Sequence, residues 1–129
     1  MNLWFVLSGM LALFTVVGHF TVGKKQFLTP MLTANVPTVA KHVMHCVFHY
    51  VSVFLLLSTL VLLLAGFGVI SVASGKVLAT FIASNYLAFA LWQIIIALRS
   101  GLEKPLLKLF QWLFFVAIGG FAMHGAMIL

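Results

Sequence analysis

Acidic side chains are almost missing from this sequence. Its 129 residues hold one glutamate and no aspartate, against seven lysines and arginines, and charged residues make up 6% of the chain. Without carboxylates most general acid–base schemes fall away, and histidine is left as the plausible proton handler. Proton-coupled carriers commonly hold an acidic residue inside the membrane, whereas Glu103 sits in a connecting segment. Cysteine is equally scarce: Cys46 is alone, so no intramolecular disulfide framework exists and the redox compartment stays open. G-x-S-x-G, H-E-x-x-H, phosphate-loop and dinucleotide motifs are all absent. An enzyme is not expected. The net charge of +6 does not signal nucleic-acid binding, because the cations fall in short segments between apolar runs and build no basic domain.

What the chain does have is hydrophobicity. Apolar residues make up 64%, and a small domain in water leaves too much surface exposed to hide them. The implied solvent is lipid. At about 20 residues per crossing, four spans can be placed, near residues 3–22, 39–66, 77–98 and 105–128. The amino end lacks the basic region and small-residue cleavage pattern of a signal peptide, so it is expected to stay as the first span. The carboxyl end shows no lipidation motif. The expected fold is an all-α integral membrane protein, a single domain of four transmembrane helices in an up-down bundle.

The first span should stop at Gly23-Lys24-Lys25, whose lysines anchor it at the headgroups. Residues 23–40 are broken by Pro30 and Pro37 and read as an interfacial turn. The second connection should run through Gly66-Phe67-Gly68 and Ser71 to Lys76, and the fourth span should open at Pro105 behind Glu103. Lys24, Lys25, Lys41, Arg99, Lys104 and Lys108 fall on one side and only Lys76 on the other. The positive-inside rule puts the six in the cytoplasm and both termini outside, in the periplasm for a bacterial inner membrane.

The unusual stretch is Lys41 to His49. His42, His45 and His49 stand at i, i+3 and i+7, within an arc of about 60° on a helix, with Cys46 at its edge. Span one descends to this side, so His19 should approach the stripe. Trp92 and Gln93, before Arg99, and Gln111 and Trp112, after Pro105, come to similar depth. Polar side chains at such depth normally turn toward the bundle interior.

This layer admits three interpretations. It can be interfacial, with snorkelling rings and glutamines bonding between helices. It can be a site for Zn, Cu, Ni or Fe, with His19, His42, His45, Cys46 and His49 as ligands and Gln93, Trp92 and Gln111 around them. Or it can serve redox or proton chemistry: two histidines could ligate haem, or one could hydrogen-bond a quinone between aromatic rings. Thirteen Phe, three Trp and two Tyr would line such a cavity, although any membrane bundle holds as many. The function expected first is binding or passage of a transition metal ion or protons through a histidine cluster on the cytoplasmic side. The rival is an accessory subunit of a larger membrane redox or transport complex. Besides the bilayer, the expected partners are further copies of the chain or such a complex.

Smaller signals concern packing. Asn85, mid-span, is expected to bond between helices, and His124 to lie at the opposite interface from the stripe. Ala79/Ala83, Ser84/Ala88 and Ala122/Ala126 have the small-x-x-x-small spacing of close helix contacts.

Overall fold

The computed structural model describes residues 1–129. It is helical throughout, without a strand. Helix α1 (Leu3–Gly18) passes directly into a π-helical segment (His19–Leu28) and then into α2 (Thr29–Thr33). After a break come α3 (Thr38–Gly66), α4 (Val72–Arg99), the short α5 (Pro105–Lys108) and α6 (Gln111–Met127). Three helical stretches are long and apolar enough to cross a membrane: Leu3–Thr33, Thr38–Gly66 and Val72–Arg99. The last apolar helix, α6, is shorter at 17 residues.

The first helical stretch does not stop at the lysine pair. It carries Lys24 and Lys25 on wide π turns, in which each N–H reaches one residue further back than in an α-helix. The buried positions Gly23 and Leu28 are spaced accordingly, five apart. Return to α geometry at Thr29 coincides with Pro30, whose missing N–H removes one bond from the otherwise continuous helical stretch. The chain breaks only at Ala34, whose backbone is extended. Pro37 then caps α3.

The turn between α3 and α4 is tighter than the sequence suggested. Gly68, with φ of +79°, follows the last helical residues. Its N–H and that of Val69 return to the carbonyls of Ala65 (3.2 Å) and Leu64 (2.9 Å). This is the glycine C-cap in its two-bond form. The Ser71 hydroxyl then accepts the Ser74 N–H and opens α4 at once. Ser71 to Lys76 is therefore no loop. Beyond α4 the expected single helix from Pro105 is interrupted at Leu109, which has φ −108° and ψ +63°. Side chains take up carbonyls near this break: Trp112 Nε1–H donates to Leu106 O at 3.0 Å, and Gln93 Nε2–H reaches Leu109 O at 3.4 Å.

Each of α1 and α4 packs against both α3 and α6. Glycine and alanine set these contacts near the start of α1. A Cβ on Gly66 would lie 2.7 Å from Val6 Cγ2 and 2.8 Å from its backbone N, and one on Gly125 would meet the Phe5 ring at 2.8 Å. Gly119 lies as close to Leu87 of α4. Ala79, Ala83, Ala122 and Ala126 are buried in the same core, so two of the small-residue pairs pack helices together. Ser84 and Ala88 are exposed instead.

Polar groups in this core are all engaged. Ser8 Oγ–H donates to Ile118 O at 2.8 Å, and Ser58 and Tyr86 bond through their hydroxyls at 2.7 Å. No buried side-chain nitrogen or oxygen lacks a partner, as a medium without water demands. Asn85 does not join helices: its amide returns to Phe81 O of its own helix. His124 packs edge-on against Trp4, with centroids 4.5 Å apart.

A side chain at Gly66 would push against backbone of Val6 and Phe5 as well as the Val6 side chain. Gly66→Val should cost about 1–3 kcal/mol or more through overpacking. Gly18→Ala, with nothing within 4 Å of the new Cβ, should be neutral or gain up to about 1 kcal/mol of helix stability. Unfolding of both variants in detergent micelles checks the contrast.

Candidate functional site

Toward the Lys24 end the helices stop closing on each other. There the spacers between them are rings rather than glycines. Phe14 and Phe114 pack at 5.9 Å, Phe110 and Phe114 at 6.3 Å, and Phe48 stacks on His19 at 4.0 Å with an interplanar angle of 17°. Behind them lies a cavity of about 340 Å³ between α1, the π-helical segment, α3 and α6. That volume is at the lower end for a small-molecule site. Its wall is almost wholly apolar, the polar lining side chains being Thr15, His19 and Gln111. Phe14, Val22, Phe27 and Phe110 line it and are themselves exposed on the apolar surface of the molecule. The cavity mouth is therefore ringed by hydrocarbon.

The hydrogen bonds of the three polar residues define what they still offer. Thr15 Oγ–H is committed to Leu11 O of its own helix at 2.9 Å. His19 Nε2 lies 2.9 Å from Ser52 Oγ and 3.2 Å from Phe48 O. A carbonyl oxygen only accepts, and Ser52 Oγ–H itself donates to Phe48 O at 3.0 Å. The proton of the neutral ring therefore belongs on Nε2, which leaves Nδ1 as a bare acceptor. Nδ1 has no partner in the protein and stands on the Gly23 side of the ring, 3.8 Å from where a Cβ would sit. Gln93 holds Gln111 by the same logic. Its Nε2 donates to Gln111 Oε1 and reaches toward Leu109 O. That fixes both amides and leaves Gln111 Nε2–H₂ free to donate.

The residues expected from the sequence divide between this cavity and the outer surface. His19 and Gln111 line the cavity, and Gln93 supports Gln111 from α4. Trp92 points outward, 63% exposed. His42, Cys46 and His49 are exposed on α3, and His45 is half-buried. His45 and His49 are neighbours with ring centroids 5.1 Å apart. His19 does not meet them. Its partner row on α3 is Phe48 and Ser52, from which His49 and His42 are turned by about 60° and 80° measured to Ser52. No three side chains among His, Cys, Asp and Glu gather so as to hold a metal ion. The five-ligand set read from the spacing thus does not assemble within one chain: His42 and His49 are turned aside, and His45, only about 20° from Ser52 around α3, lies about 10 Å along the axis from it.

Sequence reasoning passed over Ser52, Phe48 and Gly18. The available signal was Ser52, a hydroxyl four residues after Phe48 in an otherwise apolar run. Comparison with protein-family models, curated proteins and solved structures finds no match for the chain.

Ser52→Ala removes one of the two oxygens at His19 Nε2 and leaves the other. The expected cost is about 1 kcal/mol of stability. Histidine-labelled NMR of the purified protein should show one fixed tautomer with Nε2–H in the wild type, and a shifted Nε2 resonance in the variant.

Proposed function

We propose that this chain is a non-enzymatic membrane protein that takes a lipid-soluble ligand from the bilayer into the cavity beside His19, acting as a small binding or accessory subunit. One observation carries this proposal: an aromatic-walled cavity, bordered by exposed apolar side chains, whose lining residues His19 and Gln111 each keep one polar end without a partner in the protein. A water-soluble ligand would find little polar surface within the cavity. A wholly apolar one would leave both groups without partners, at a cost.

The proposal includes four crossings in an up-down arrangement. Its support is that α6, about 25 Å long at 1.5 Å per residue, lies along α1 and α4, with α5 extending it toward the headgroups. Antiparallel contacts support the alternation: Gly66 at the end of α3 meets Val6, Gly125 near the end of α6 meets Phe5, and Gln93 late in α4 meets Gln111 at the start of α6. With Lys24, Lys25, Lys41, Arg99, Lys104 and Lys108 in the cytoplasm, the cavity opens in the inner leaflet of a bacterial inner membrane, and both termini lie outside.

Transition-metal, proton and haem handling have weaker support. His45 and His49 supply two nitrogens, whereas a structural zinc takes four ligands. The remainder would have to come from a second copy or a larger complex. Protein purified in mild detergent is expected to carry no stoichiometric transition metal and no Soret band. Either finding, lost on changing His45 and His49 to Ala, would favour the metal or haem alternative.

Gly18 lines the cavity and has open space at its Cβ. Gly18→Leu should fill the site without disturbing the fold, and should abolish labelling of His19 and Gln111 neighbours by a photoreactive long-chain alkyl probe. Undiminished labelling at Phe110, Phe114 and Val22 in this variant would refute the cavity as the binding site.

A further inference from the structure

His19 and Gln111, both lining the cavity, each keep one polar end without a partner in the protein, and the two ends are of opposite kind. We propose that the site recognises a lipid-soluble aromatic hydroxyl, a phenol or hydroquinone headgroup on a hydrocarbon tail, in preference to the corresponding quinone or hydrocarbon. The proposal rests on the cavity being a binding site and adds the chemistry of its occupant.

The decisive atom is His19 Nδ1. Nε2 is held as the donor by Ser52 Oγ at 2.9 Å and by Phe48 O at 3.2 Å, an oxygen that cannot donate. Nδ1 of the neutral ring then asks for a hydroxyl proton. A carbonyl placed there would set two lone pairs against each other, so an oxidised ring is a poor match. Gln111 supplies the complementary group. With Oε1 occupied by Gln93, its amide N–H₂ is available to an oxygen acceptor, such as a second hydroxyl or an ether oxygen of the same ring.

The apolar wall argues for an aromatic body. Phe48 already stacks on His19, and Phe110, Phe114 and Phe14 form the facing side. Aromatic rings pair with such surfaces in offset or edge-on contact beyond what their area alone supplies. A volume of about 340 Å³ accommodates a substituted ring, while a long tail has to leave past Phe14 and Val22, which line the cavity and are exposed on the side of the lysines away from the headgroups. Those residues are exposed to lipid, so the tail never needs to enter water.

The test uses the full-length protein in nanodiscs with four probes sharing one tail: para-decylphenol, decylcyclohexanol, decylbenzoquinone and decylbenzene. The phenol should bind about tenfold more tightly than the other three, as expected for one well-made hydrogen bond in a dry site together with ring packing. Histidine-labelled NMR should show His19 Nδ1 shifting with the phenol while Nε2 stays protonated. In His19→Phe the preference for phenol over decylbenzene should disappear while decylbenzene still binds. Equal binding of all four probes, with Gly18→Leu blocking each, would overturn the hydroxyl proposal and leave the cavity as an unselective lipid site. Tighter binding of the quinone would overturn it in favour of a protonated His19. Failure of every probe to bind, with Gly18→Leu inert, would overturn the cavity itself.

Discussion

Side-chain bulk sets how far apart these helices stand, and helix separation determines everything else in the molecule. Where α1, α3 and α6 meet near Val6, the contact residues are Gly66 and Gly125, and the backbones come together until no Cβ would fit. Toward Lys24 the residues between the same helices are Phe14, Phe48, Phe110 and Phe114. Rings of that size cannot interdigitate as glycines do. They hold the helices off, and the wide turns after Gly18 carry His19 and Gly23 around the space so produced. One bundle thus has a solid end and a hollow one, and the difference lies in residue volume.

Lipid then dictates the polar arrangement. Hydrocarbon offers no hydrogen bonds, so most hydroxyls turn back to a carbonyl one helical turn earlier, as Thr15, Thr59, Thr80 and Ser84 do. Such bonds satisfy the group but specify nothing about neighbours. Specificity comes from the few that cross: Asn2 to Gly125, Ser8 to Ile118, Ser58 to Tyr86, Gln93 to Gln111 and His19 to Ser52. The last two border the cavity. Each ties up one end of a two-ended polar group and leaves the other end for something outside the chain.

Much of the fold was legible in the sequence because hydropathy is a one-dimensional property. The helix of residues 38–66 and the scarcity of charge within it could be read directly. Boundaries failed where they depended on geometry. Lys24 and Lys25 look like a stop, yet the helix passes them by widening its turns, and Gly68 with Ser71 folds into a few residues what composition suggested was a longer connection. The site was half legible. His19, Gln93 and Gln111 stood out as polar residues at one depth, and they do belong to one region. The histidine stripe drew attention by its spacing, but spacing fixes positions relative to one another and not the rotation of the helix. Only contacts such as that of His19 with Ser52 reveal which row of α3 faces inward.

Asn2 joins three helices mechanically. Its Oδ1 caps α1 through the amides of Trp4 and Phe5, its Nδ2 donates to Gly125 O at 3.0 Å, and its own N–H donates to Gly66 O at 2.8 Å. A single residue thereby rivets three helix ends at the face opposite Lys24 and Lys25. A bundle pinned in this way has a fulcrum. Any splaying about that point would displace Gly66 least and open the space between Phe14 and Phe114 most, the way tweezers open at their tips.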